Sequence, residues 1–412
     1  MTTPRPLLSA FVALLSAAGG DAPSAQTAAS PAEAASRYVA VDLGYFDRPA
    51  TGEDAPLYRG LRALVHGDPA EAERALVETA SAGPDSLRPF VYGRLAALAA
   101  RQFDGAGALR YRALRAEAEG EPFDPSASKW SVFARHPSPS ASVAGGAVTV
   151  PFDGYRVGGA LHGPDGAADV RFFLDTGSPV TLLSRGLADQ LGLALDSAAV
   201  GFVSIPARGI DSAPTYTAVI DSVRIGGAVL RNVPADVIDT DRPVADGADL
   251  FLGFDALSGL FGGVRYGFAD STLTLYGRGR VPGRDAAPNI LLDGGYAFLA
   301  YRADGRPFTG VVDTGSPFSY VYADWWTPPA GAEGRPVTHR GRLADTEYEF
   351  TLDYHDLTAT LAGAEVDALP LGLSTRGQVG APFRVMSLLG TGLFADGALV
   401  LDFDRRVATY ER

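Results

Sequence analysis

The 412-residue chain contains no cysteine. That excludes disulfides, thiol nucleophiles, thiolate metal sites and a lipoprotein anchor. It leaves the compartment open, because exported proteins need not carry disulfides. Histidine is scarce: His66, His136, His162, His339 and His355 are all there are, and no two have the spacing of a zinc-binding helix motif. His355 lies between Asp353 and Asp356, a grouping that could mimic a metal cluster but reads better as an exposed polar stretch. Positive charge is short as well. A formal charge of -13 argues against non-specific nucleic-acid binding, which needs basic patches to neutralise phosphate. Long apolar runs are confined to the N-terminus, where Arg5 precedes Leu7 to Ala18. That stretch is too short to span a bilayer and is followed by small residues. Residues 1–25 are therefore expected to be an export signal and leader, cleaved after Ala18 or Ala25, with a mature protein in the periplasm or secreted.

What remains is ordinary globular composition, 46% apolar and 20% charged, in a chain long enough for two or three domains. Residues 19–35 read as a flexible leader rich in Ala, Ser, Pro and Gly. Residues 36–122 read as a helical region, with helical periodicity from about Pro56 to Ala118. Leu57, Leu61, Leu64 and Val65 share a face. Gly67-Asp68-Pro69 then ends one helix and starts another, with proline in the first turn where it is tolerated. A second pair spans Leu87 to Ala100 and about Ala106 to Glu117. Two such hairpins resemble tetratricopeptide-like (TPR-like) repeats; a small bundle packed on the rest is the other reading. Residues 123–144 read as a linker in which Trp130 and Phe133 could dock. From 145 onward the period becomes that of strands, as in Val148 to Phe152 and Ala218 to Ile225, with Gly226-Gly227 at a hairpin turn.

The pentapeptide Asp-Thr-Gly-Ser-Pro occurs twice, at Asp175 to Pro179 and Asp313 to Pro317, each time after a strand-like apolar run. An isolated copy is usually a turn, since every residue in it favours turns. Here the copies carry matching landmarks downstream. Gly253 follows Asp175 by 78 residues and Gly390 follows Asp313 by 77, each in an apolar-apolar-Gly run. Between them, Tyr216 stands seven residues after Gly209, and Tyr348 seven after Gly341. Each half closes on an apolar strand, Thr272 to Tyr276 and Val407 to Tyr410. Four landmarks in one order at near-equal spacing indicate a duplication.

On these motifs each half resembles a retropepsin-type aspartic peptidase domain. The chain as a whole resembles a compact pepsin-like enzyme with two such halves, 145–280 and 288–412. The resemblance implies a mainly β, bilobal acid-protease-like fold preceded by a small all-α region. It implies an aspartic endopeptidase without metal or organic cofactor. Asp175 and Asp313 would be the catalytic pair: two carboxylates about 3 Å apart cannot both ionise, so one takes a proton from water and the other donates to the substrate carbonyl. By resemblance, Thr176 and Thr314 would lock the loops together. Gly177 and Gly315 would let the backbone approach the carboxylates, and Ser178 and Ser316 would orient the outer carboxylate oxygens. Gly209 and Gly341 are candidate flap tips; Tyr216 and Tyr348 are candidate flap tyrosines or plain strand residues. Trp325-Trp326 would line a pocket or pack in a core. Pro179 and Pro317 depart from the small polar residue of many relatives. The second half lacks an obvious glycine-rich flap, which leaves one or two working flaps open.

The partner would be an extended peptide or protein substrate. A different class of function is a binding module on an inactive peptidase scaffold, with the helical region recruiting protein partners. A third reading makes the helical region an inhibitory pro-segment. Such segments are typically basic, whereas residues 37–121 contain no lysine.

Overall fold

The computed structural model describes residues 30–51, 55–205, 210–245, 247–283, 286–343, 346–375 and 383–412. The apolar stretch Leu7 to Ala18 and Gly209 lie outside them.

Helices come first. α1 (Pro31–Val39) leads into the hairpin of α2 (Pro56–His66) and α3 (Pro69–Ala82), then that of α4 (Arg88–Arg101) and α5 (Gly105–Glu119). The caps follow from the sequence. Asp68 and Asp104 accept the Glu71 and Gly107 amides at 3.1 and 2.9 Å, which satisfies donors that the first turn leaves free. Residues 123–144 are not a bare linker. They hold α6 (Lys129–Phe133) and an edge strand, β1 (Ser140–Val143), because Trp130 is buried edge-on to Phe133 at 5.4 Å.

The first half runs β2 (Ala147–Pro151), β3 (Arg156–Gly163), β4 (Gly166–Asp175), β5 (Leu182–Ser184), α7 (Arg185–Gln190), β6 (Asp196–Ile205), β7 (Ile210–Ile225), β8 (Ala228–Ile238), β9 (Leu250–Gly253), α8 (Phe254–Leu260), β10 (Gly263–Gly267) and β11 (Thr272–Tyr276). The second runs β12 (Ile290–Asp293), β13 (Tyr296–Ala303), β14 (Arg306–Asp313), β15 (Tyr320–Tyr322), β16 (Arg335–Leu343), β17 (Thr346–Leu361), β18 (Ala364–Ser374), β19 (Ser387–Gly390), β20 (Ala398–Asp402) and β21 (Val407–Glu411).

Each half builds an eight-stranded sheet around the same motif. In the first, neighbours run β8-β5-β9-β4-β3; in the second, β18-β15-β19-β14-β13. The repeated landmarks become β pairs: β4 runs parallel to β9 with Asp175 opposite Gly253, and β14 parallel to β19 with Asp313 opposite Gly390. A third sheet, in the order β2-β11-β10-β20-β21, draws strands from both halves. The closing strand of the second half, Val407 to Tyr410, lies in β21 and pairs with β20, and β20 in turn pairs with β10 of the first half. The chain is mainly β and bilobal, with an N-terminal helical region.

Burial differs between the motif strands of the two halves. In β4 the buried residues alternate, Ala168, Val170, Phe172 and Leu174, as in a strand with one solvated face. In β14 Phe308 to Val312 are all buried. Phe308 and Val312 join the core of the lobes, while Val311 packs in a cluster with Leu57, Leu61 and Leu95 of the helices. The helical region is therefore a layer on the second lobe. Arg384 and Thr309 of that lobe bond the Val39 and Ala40 carbonyls.

Candidate active site

Both pentapeptides sit where a parallel strand pair ends, so the chain must turn away at Asp175 and at Asp313. The two turns meet. The Thr176 amide donates to Thr314 Oγ1 at 3.0 Å, and the Thr314 amide returns the bond to Thr176 Oγ1 at 3.1 Å. Each hydroxyl then donates across the interface, Thr176 to the Val312 carbonyl at 2.7 Å and Thr314 to the Leu174 carbonyl at 2.6 Å. Both threonines are buried. Four buried hydrogen bonds across a two-fold hold the loops in one geometry, and each lost partner leaves a desolvated polar group costing about 1–3 kcal/mol.

The carboxyl groups face each other above this lattice. Gly177 donates its amide to Asp175 Oδ1 at 2.8 Å. The Gly315 amide lies 3.1 Å from Asp313 Oδ1 and also 3.1 Å from Asp175 Oδ1, so one N–H serves both carboxylates. The glycines are obligatory for space. A Cβ on Gly177 would collide with the Asp313 carboxyl, and one on Gly315 with that of Asp175. Asp175 is buried. Tyr296 stands close enough to register the pair: burial, then Asp313 and Asp175, push its hydroxyl up to about 12.

The serines do not take the role that the resemblance implied. Ser178 Oγ donates to the Val180 carbonyl at 2.7 Å and Ser316 Oγ to the Phe318 carbonyl at 3.0 Å. Each closes its own loop, because the residue after it is proline and the turn needs a side-chain donor where no amide exists. Behind them, Thr181 Oγ1 and Ser319 Oγ accept the Gly253 and Gly390 amides at 3.2 and 2.7 Å. Tyr266 was not singled out from the sequence. Its hydroxyl donates to the Leu174 carbonyl at 3.1 Å, beside Thr314. Nothing local marks it, since it stands 91 residues after Asp175 on another sheet.

The candidate flap residues Tyr216, Gly341 and Tyr348 lie on two hairpins, β6–β7 and β16–β17. Tyr216 pairs with Val237 at the foot of the first, and the Arg185 guanidinium lies over its ring at 5.1 Å. Gly341 is not a tip. It lies within β16 opposite Tyr348, whose ring fills the space a Cβ would need. The second hairpin reaches the first lobe, where Arg342 Nη1 donates to the Pro243 carbonyl at 3.1 Å. Trp326 is buried, 5.5 Å from the His355 ring, while Trp325 is partly exposed. Among the described residues no cluster of three His, Asp or Glu could hold a metal ion.

Residues 157–256 match the family model described as aspartyl protease. That segment runs from β3 to the start of α8 and contains Asp175 and Gly253. Similar solved structures include a retropepsin-like aspartic protease from Rickettsia conorii, 22% identical with a TM-score of 0.24, the match covering 34% of this chain and 97% of that one. They also include the aspartic proteinase from Irpex lacteus, 12% identical with a TM-score of 0.40, covering 64% and 96%. No curated protein matches the chain. By its family match and its motifs, the chain resembles the retropepsin-like and pepsin-like aspartic peptidases.

Proposed function

We propose that this protein is an aspartic endopeptidase in which Asp175 and Asp313 activate one water between the lobes. The observation that carries the proposal is the single Gly315 N–H, 3.1 Å from an oxygen of each carboxylate. Carboxyl groups this close favour a state that shares one proton. In that state the ionised member accepts a proton from water as it attacks the peptide carbonyl, and the protonated member donates to the carbonyl oxygen. The threonine lattice supports this role by holding the pair without side-chain rearrangement during turnover. An extended peptide would lie beneath the hairpins β6–β7 and β16–β17, held in part by strand-like hydrogen bonds. With the apolar N-terminus acting as an export signal, the enzyme would work outside the cytoplasm.

The test is hydrolysis of an unfolded protein at acidic pH by the wild type and by Asp175→Asn and Asp313→Asn, made separately. Each substitution keeps the shape of the side chain but removes the shared proton. Loss of at least about 10³-fold in kcat/KM is expected from each. Full activity in either variant sinks the proposal. A wild type that cleaves nothing and does not bind a statine inhibitor points instead to a peptide-binding module on the same scaffold.

A further inference from the structure

Between α4, α5 and α6 on one side and the loops Pro179-Val180 and Gly294-Gly295 on the other lies a cavity of about 470 Å³. That volume suits a small organic ligand. Leu98, Trp130, Phe133 and Phe254 give it apolar walls. Its charge is opposite to that of the protein. Five cations, Arg94, Arg101, Arg112, Arg115 and Lys129, face three carboxylates, Asp236, Asp255 and Asp293. Two of these are matched inside the cavity: Lys129 lies 3.2 Å from Asp236, and Arg94 lies 2.9 Å from Asp293. Arg115 pairs outside it with Glu119 at 3.0 Å.

Among the described residues Arg101 and Arg112 form no direct ion pair, although Asp293 acts on Arg101 at longer range. Arg101 donates to the Leu292 carbonyl at 2.6 Å, and Arg112 lies over the Trp130 ring at 5.8 Å. Burial lowers the affinity of both guanidiniums for their protons, so charge there is under-compensated. Arg94 adds an independent sign. Its side chain is 8% exposed, and among the described residues its Nε–H has no hydrogen-bond partner, nor has Oδ1 of the neighbouring Asp293. A buried donor of this kind is normally satisfied by water or a ligand.

We propose that this cavity binds a carboxylate carried on an apolar stem. The guanidiniums supply donors in the planar geometry that a carboxylate accepts. The wall carboxylates Asp236 and Asp293 disfavour a second negative charge, which selects a monoanion over a phosphate dianion. The stem lies against the aromatic walls. An occupant would touch the loop that carries Asp175, because Val180 accepts the Ser178 hydroxyl and Gly295 packs on Pro179 beside Tyr296. The carboxylate could belong to a free organic acid or to the C-terminus of a peptide. Binding does not depend on the peptidase reading and is measured without turnover.

Calorimetry with the full-length protein uses two acids, octanoate and N-acetyl-leucyl-phenylalanine, each against its primary amide. The acids are expected to bind about tenfold tighter than the amides. The Arg112→Met variant keeps the apolar stem and is expected to weaken both acids about tenfold while leaving the amides unchanged. The tighter of the two acids assigns the source: the peptide acid a chain end, octanoate a free acid. Lys129 is the only lysine in the chain, so its reductive methylation, read by peptide mass spectrometry, reports this site alone. Bound acid should slow it. Equal binding of acids and amides, no binding at about 1 mM, unaltered affinity in the Arg112→Met variant, or unprotected Lys129 would each overturn the proposal.

Discussion

The two lobes agree where their loops meet and differ one layer behind. The two threonines exchange the same contacts across the interface, each glycine amide bonds the aspartate of its own loop, and Thr181 and Ser319 repeat one backbone bond. Two residues after the conserved β pair the lobes part. The first carries Asp255 at the start of α8, while the second has Gly392, where a Cβ would strike the Pro317 carbonyl. Thirteen residues after it, the first lobe has Tyr266 and the second Phe403, both fully buried. The duplication has kept what positions two carboxylates and let the supports diverge. A symmetric site can therefore rest on unequal foundations.

The largest effect should come from breaking the symmetric part. Gly177→Ala and Gly315→Ala each drive a methyl into the opposite carboxyl, so both should lower kcat/KM at least about 100-fold, by similar factors, in a steady-state peptide assay. If only one did, the lobes would be unequal at the reacting atoms too. The threonines test the layer beneath. Thr176→Val leaves the Val312 carbonyl and the Thr314 amide without partners and should cost about 2–4 kcal/mol in urea unfolding. Thr314→Val should cost about 1 kcal/mol less, because Tyr266 still serves the Leu174 carbonyl.

Asp255 sharpens the comparison through pH. Burial pushes its carboxyl up to about 7, against the pull of Lys129. The folded state then keeps a proton that the unfolded chain releases near pH 4, so this group's contribution to stability falls as pH rises from about 4 to 7. Asp255→Asn should be about 1–3 kcal/mol more stable than the wild type at pH 7 and equal to it near pH 4, by thermal unfolding across pH. The smallest effect belongs to Tyr266→Phe, which copies the second lobe into the first. It should cost about 1 kcal/mol alone and remove the advantage of Thr314→Val over Thr176→Val when the two are combined.

Much of this site could be read in advance because its logic is local. A parallel strand pair places Asp opposite Gly at a fixed register, so equal Asp-to-Gly spacing survives in the sequence. Gly67-Asp68-Pro69 marks a helix end and start in three residues. The rest depends on partners far apart in the chain. Tyr266 meets Leu174, and Arg94 meets Asp293, with no periodicity to announce either pair. The serines misled because the proline after each changes what the turn requires. Gly341 misled because a glycine before a hairpin can serve a neighbouring ring as well as a tip. The helical layer did leave a trace, in the loss of alternation along Phe308 to Val312, which is a strand buried on both faces.

The sheet shared by β2, β11, β10, β20 and β21 has a consequence for concentration. Where two separate subunits each supply one aspartate, dilution dissolves the pair. Here the tether is covalent and the last strands are laced into the first lobe, so Asp175 meets Asp313 at an effective concentration that solution cannot lower. Specific activity should then be independent of enzyme concentration. A catalyst built this way would keep its competence one molecule at a time at any dilution.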